Sequence, residues 1–74
     1  MNPITELAEL MQKMHGENIE TRVIAKRGPD HCPTITVEIA LPTGDTFTAE
    51  GGNQKEAKQK AALEALKQLN TSAE

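Results

Sequence analysis

The chain has 74 residues, 36% of them hydrophobic, with a single aromatic residue (Phe47), one cysteine and a formal net charge of −3 at pH 7. This is one small domain with an aliphatic core, near the size below which disulfides or metals usually become necessary, and the lone Cys32 excludes an internal disulfide. The acidic balance argues against a polyanionic partner; no apolar run approaches the roughly 20 residues that span a bilayer, so no membrane is expected and an intracellular, cytoplasmic or nuclear setting is.

Asn2-Pro3 opens a predicted helix, with Asn as the N-cap and Pro at the first helical position, where a missing N–H costs nothing. At 100° per residue Ile4, Leu7, Ala8, Leu10, Met11 and Met14 fall within one arc of about 160°, and Thr5, Glu6, Glu9, Gln12 and Lys13 lie opposite. Gly16 is the expected stop, with His15 in the last turn.

From Asn18 to Ala49 the period changes from 3.6 to 2. "ETRVIAKR" has enough β-branched character for a strand, half exposed, that ends at Gly28-Pro29. "GPDHCP" then holds two prolines in six residues, which stiffens the connection. In "TITVEIAL", Ile35, Val37, Ile39 and Leu41 alternate with Thr34, Thr36, Glu38 and Ala40, a strand with one buried and one wet face. "PTGD" is a tight turn to a shorter strand that carries Phe47 and Ala49.

Asn53 caps the last helix, and Glu56, three residues on, is placed to reach back to it as a capping box. An alanine-rich stripe follows as far as Leu69, and the polar tail 71–74 is expected to fray, leaving a domain of residues 1–70. The predicted fold class is α+β: α-β-β-β-α, with two helices packed on one face of a three-stranded antiparallel sheet.

Charge placement says more than the total. Lys55, Lys58 and Lys60 fall within six residues. Lys55 lies seven and eleven positions before Ala62 and Leu66, and Lys58 seven and eleven before Ala65 and Leu69, so both share the core stripe. Burial of an unpaired ammonium group is costly. The first turn is therefore expected to overhang the sheet, with both lysines beside the helix N-terminus and two glycines that admit a ligand to the backbone. That is an anion site, and phosphate suits it.

"GPDH", an alternating strand, a turn, "GGNQKEAK" and "AALEAL" follow one another in an order and spacing that resemble the double-stranded RNA-binding domain, found in ribonuclease III, Dicer and Staufen; the likeness runs from Asn2 to Leu69. The resemblance implies that double-stranded RNA is the partner, held by shape over about 16 bp through phosphates and 2′-hydroxyls, largely without regard to sequence. By position it assigns Gly28, Pro29 and His31 to a minor-groove loop and Lys55 and Lys58, with Asn53 and Gln54 ahead of them, to phosphate. Glu9, joined by Thr5 and Gln12 on the same helix face, is assigned to the other minor groove. Gln54 stands where the family usually has a lysine and Ala8 where many members are polar, which implies weak binding by the isolated domain. Thr21 and Ile35 replace a usual tyrosine and phenylalanine, which implies a smaller core.

The alternative is the same fold used mainly for protein contact, such as pairing with another domain of this kind; the acidic balance motivates it. An activity of its own is not expected, because no nucleophile is paired with a base and no phosphate-binding loop of glycine-lysine-serine spacing is present; the chain suits the non-catalytic RNA-binding part of a larger RNA-processing enzyme. No cofactor, metal or small-molecule substrate is expected, since His31 beside Cys32 without a second pair of ligands does not make a tetrahedral site.

Overall fold

Asn2 starts the first helix by satisfying a donor that the helix itself leaves open: its Oδ1 accepts from the N–H of Ile4 at 2.8 Å. The helix ends at Gly16, whose φ of 69° lies in the left-handed region and whose N–H returns to the Gln12 carbonyl. The computed structural model of the protein describes the backbone of residues 2–73 and side chains through Leu69. In chain order it comprises α1 (Pro3–His15), β1 (Glu20–Arg27), β2 (Thr34–Ala40), β3 (Thr46–Gly51) and α2 (Gln54–Ala73). The helix continues to Ala73, so residues 71–73 are helical where their polar composition predicts fraying; Glu74 lies outside the described residues.

The strands form an antiparallel sheet in the order β1-β2-β3. The β2–β3 connection closes as expected: Gly44 N–H donates to the Leu41 carbonyl at 2.9 Å, Leu41 N–H to the Asp45 carbonyl at 2.8 Å, and Gly44 adopts a φ of 97°. This is a turn followed by a left-handed glycine, a common way to close a three-residue hairpin.

Register divides the sheet into two faces. Val37 and Ile39 are fully buried, and the partners of this row are Ala49 and Phe47 on β3 and Val23 and Thr21 on β1. The opposite face is polar, with Arg22 Nη2 paired to Glu38 Oε1 at 3.0 Å and Thr36 Oγ1 donating to Glu50 Oε2 at 3.3 Å. Between Val23 and Ala25 the register shifts by one residue, leaving Ile24 as a bulge.

The core joins elements of unequal bulk. Leu7 and Met11 from α1 and Ile39 and Leu41 from the sheet side meet Ala61, Ala62 and Ala65 of α2. Methyl-sized side chains allow the second helix to lie close to the strands, and the largest fully buried side chains, Leu7, Met11, Ile39 and Val37, come from its neighbours. The predicted apolar arc of α1 is buried at Leu7 and Met11 and partly covered at Ile4 and Leu10, but Met14 in the last turn is 57% exposed. Val23 and Ile24 on the edge strand are also exposed, because α2 packs over β2 and β3 and leaves β1 at the margin.

Candidate nucleic-acid interface

Antiparallel pairing sets the end of β1, the start of β2 and the end of β3 side by side: Lys26 lies opposite Ile35, and Ile35 opposite Gly51. The connection 28–33 and the start of α2 therefore leave the sheet from the same end. Two segments that lie more than twenty positions apart in sequence become neighbours.

The connection is a tight turn. Cys32 N–H donates to the Pro29 carbonyl at 3.0 Å, which places Asp30 and His31 at its two central positions. Gly28 holds a φ of 90°, and a Cβ there would sit 3.0 Å from the Cys32 carbonyl oxygen. Glycine is thus required twice, by conformation and by space. Gly28, Pro29 and His31 are all exposed, and Cys32 is exposed as a free thiol.

Asn53 caps α2, its Oδ1 accepting from the Glu56 N–H at 2.8 Å and its carbonyl from the Ala57 N–H at 3.1 Å. Only half of the expected capping box forms. The Glu56 carboxylate pairs through Oε1 with Lys60 Nζ at 3.3 Å, an i,i+4 contact that competes with the return to Asn53.

The expected overhang of the first turn is also corrected. Ala57 is fully buried, and a Cβ at Gly51 would meet the Ala57 nitrogen at 2.7 Å, so the turn is seated directly on the end of β3. The absence of a side chain at Gly51 is what lets it close. Lys58 lies in the middle of the stripe formed by Ala57, Ala61, Ala65 and Leu69 and is half-buried, whereas Lys55 at the margin is exposed. No buried side-chain nitrogen or oxygen among the described residues lacks a partner, so the ammonium group of Lys58, which has none, reaches solvent while its stem is covered. No ion pair or side-chain hydrogen bond among the described residues engages Lys55 or Lys58. Two uncompensated cations therefore stand at the positive end of the α2 macrodipole, beside the exposed Gly52, Asn53 and Gln54.

The third predicted group is separate. Thr5, Glu9 and Gln12 are exposed on one face of α1, whose Glu9 and Lys13 lie along the second half of α2, at Leu63, Leu66 and Lys67, and not along its first turn. Glu9 also borders a groove between the helices, with Leu10, Leu63, Leu66 and Lys67. One cation absent from the sequence-based set shares this end of the sheet, Lys26, which pairing puts in the row of Ile35 and Gly51 where uninterrupted alternation would put it on the opposite face, because of the bulge at Ile24.

An α-β-β-β-α sheet-and-helix module with an exposed Gly-Pro-x-His turn and a cationic helix start at one end has the form of a double-stranded RNA-binding domain. The double-stranded RNA binding motif family matches residues 3–69, and the chain belongs to it. It binds double-stranded RNA as a member of that family. It is 42% identical over 66 residues to a protein named Ribonuclease 3 from Ehrlichia chaffeensis, covering 89% of this chain and 29% of the relative. A Ribonuclease 3 from Ehrlichia canis is 49% identical over 47 residues, covering 64% of this chain and 21% of the relative, and one from Oceanobacillus iheyensis 32% identical over 68 residues, covering 92% and 30%. The chain thus spans less than a third of the length of each of these relatives. No helix among the described residues is long and apolar enough to cross a membrane.

Proposed function

We propose that the protein grips A-form RNA at its phosphates with Lys55, Lys58 and the opening N–H groups of α2, aided by Asn53 and Gln54. The exposed backbone of Gly28 and Pro29 and the imidazole of His31 enter one minor groove, and Thr5, Glu9 and Gln12 meet 2′-hydroxyls in another. The observation that carries this reading is the pair of uncompensated lysines on a capped helix start, at the same end of the sheet as the exposed turn. A 2′-hydroxyl both donates and accepts, so a carboxylate or an amide can engage it whatever the base.

With only two lysines in the clamp and a net charge of −3, binding by this module alone is weak, on the order of micromolar, with a salt slope of about 0.9 for each phosphate contact. Within a longer protein the module holds substrate RNA for a catalytic region elsewhere, in keeping with relatives named Ribonuclease 3, and works inside the cell.

The test is a titration at two salt concentrations with an RNA duplex of about 20 bp, a DNA duplex of the same sequence, and single-stranded RNA. Preference for the RNA duplex, lost on Lys55→Ala with Lys58→Ala, supports the proposal. Equal binding to all three, or no binding at low salt together with a concentration-dependent dimer, overturns it.

A further inference from the structure

Lys26 is one of the two cations that end β1, and the strand register separates it from its neighbour. Pairing Lys26 with Ile35, and Ile35 with Gly51, puts the three residues in one cross-strand row. Directly paired residues project from the same face. Ile35 shares its face with the buried Val37 and Ile39, so Lys26 projects from the helix-bearing face, in line with the glycine on which the first turn of α2 rests. Arg27, paired with Thr34, projects from the opposite face.

The bulge causes this. Val23 pairs with Val37 on the helix-bearing face; uninterrupted alternation would put Ala25 and Arg27 there and send Lys26 to the polar face with Arg22. The extra residue at Ile24 inverts that parity for the last three residues of the strand. Lys26 is exposed, and no ion pair or side-chain hydrogen bond among the described residues engages it. Two strand spacings, roughly 10 Å, separate its backbone from that of Gly51, about one Debye length at 0.1 M salt. It also immediately precedes Arg27 and the turn that begins at Gly28. Its place is between the His31 turn and the lysines of α2.

Resting on the RNA-binding reading above, we propose that Lys26 is a third phosphate-contacting cation, extending the clamp of Lys55 and Lys58 across the sheet end toward the turn, while Arg27 takes no part. The chemistry asks only for a flexible ammonium group near a polyanion, so the contact adds affinity and no base preference.

The experiment measures the affinity of the full chain for a 20-bp RNA duplex against salt, for wild type, Lys26→Ala, Lys26→Arg and Arg27→Ala, with a thermal melt of each to establish folding. Lys26→Ala is expected to weaken binding several-fold at low salt and to reduce the salt slope by about 0.9, the share of one phosphate contact. Lys26→Arg keeps the slope, and Arg27→Ala, equal in charge change and adjacent in sequence, changes affinity less than about twofold with the slope intact. Equal effects of Lys26→Ala and Arg27→Ala, or an unchanged slope for Lys26→Ala in a wild-type background that binds duplex, overturn this inference alone. A wild-type protein indifferent to the duplex overturns the RNA-binding reading as well, and the two failures are therefore distinguishable.

Discussion

The two ends of the sheet are built from the same three strands yet carry opposite chemistry. At one end are Lys26, Arg27, the glycine-proline turn and the lysines that open α2; at the other, Glu20 at the start of β1 and the connections 16–19 and 41–45 supply Glu17, Glu20 and Asp45 and neither lysine nor arginine. The backbone differs as well. The far end uses a hairpin whose side chains bond among themselves, Thr43 Oγ1 donating to Asp45 Oδ2 at 2.9 Å, whereas at the near end no ion pair or side-chain hydrogen bond among the described residues engages Lys26, Lys55 or Lys58. The contrast teaches how an acidic protein can hold a polyanion. Lys26, Arg27, Lys55, Lys58 and Lys60 outnumber Asp30, Glu50 and Glu56 at the near end, and the carboxylates of the far end lie a strand length away, roughly 20 Å or about two Debye lengths at 0.1 M salt. Net charge then describes solubility better than it describes the partner.

The comparison breaks most clearly at the clamp. Lys55→Ala with Lys58→Ala removes both proposed phosphate contacts, each worth about 1.5–3 kcal/mol as a charge-assisted hydrogen bond, so duplex affinity should fall by about a hundredfold or more at low salt. A fluorescence-anisotropy titration measures it, and a loss under threefold would mean that the near end is not where phosphate binds. A smaller effect, read in stability, is expected where α2 meets β3. Gly51→Ala forces a carbon to within 2.7 Å of a backbone nitrogen and should cost about 1–3 kcal/mol in chemical denaturation as the helix start is pushed off the strand. Duplex binding should weaken in the same variant, because the lysines move with the turn.

Gly28→Ala meets both a left-handed φ and the Cys32 carbonyl; about 1–2 kcal/mol of stability should be lost, visible as a lower melting temperature. The control lies at the far end. Glu17→Gln with Glu20→Gln alters two exposed carboxylates remote from the lysines and should change stability by less than about 0.5 kcal/mol and duplex affinity by less than about twofold. An increase in affinity comparable to the clamp's loss would show that total charge, and not its placement, governs binding.

Much of this was legible in the chain. Asn2-Pro3 and Gly16 bound α1, the alternation of "TITVEIAL" fixes the buried face of β2, and "PTGD" closes the hairpin, because each signal depends on atoms no more than a few residues apart. The reciprocal half of the Asn53 capping box was not legible, since whether Glu56 turns back or pairs with Lys60 is a contest between two weak local contacts. The seat of Ala57 on Gly51 was hidden for a different reason. It joins a helix to a strand across the sheet, and the lysines on the same stripe suggested a turn standing clear of it.

The sequence by itself determined the element order, the alanine-lined helix and the cationic character of its start, all consequences of periodicity and capping within single segments. The tertiary structure alone decided which residues share one end of the sheet. Antiparallel pairing brought the turn at His31 beside α2, and one bulged residue, Ile24, reversed the facing of everything after it in β1, so that Lys26 and Arg27 point to opposite sides. A strand's facing has a period of 2; a single unpaired residue inverts it, and pairing with another strand is what reveals that residue.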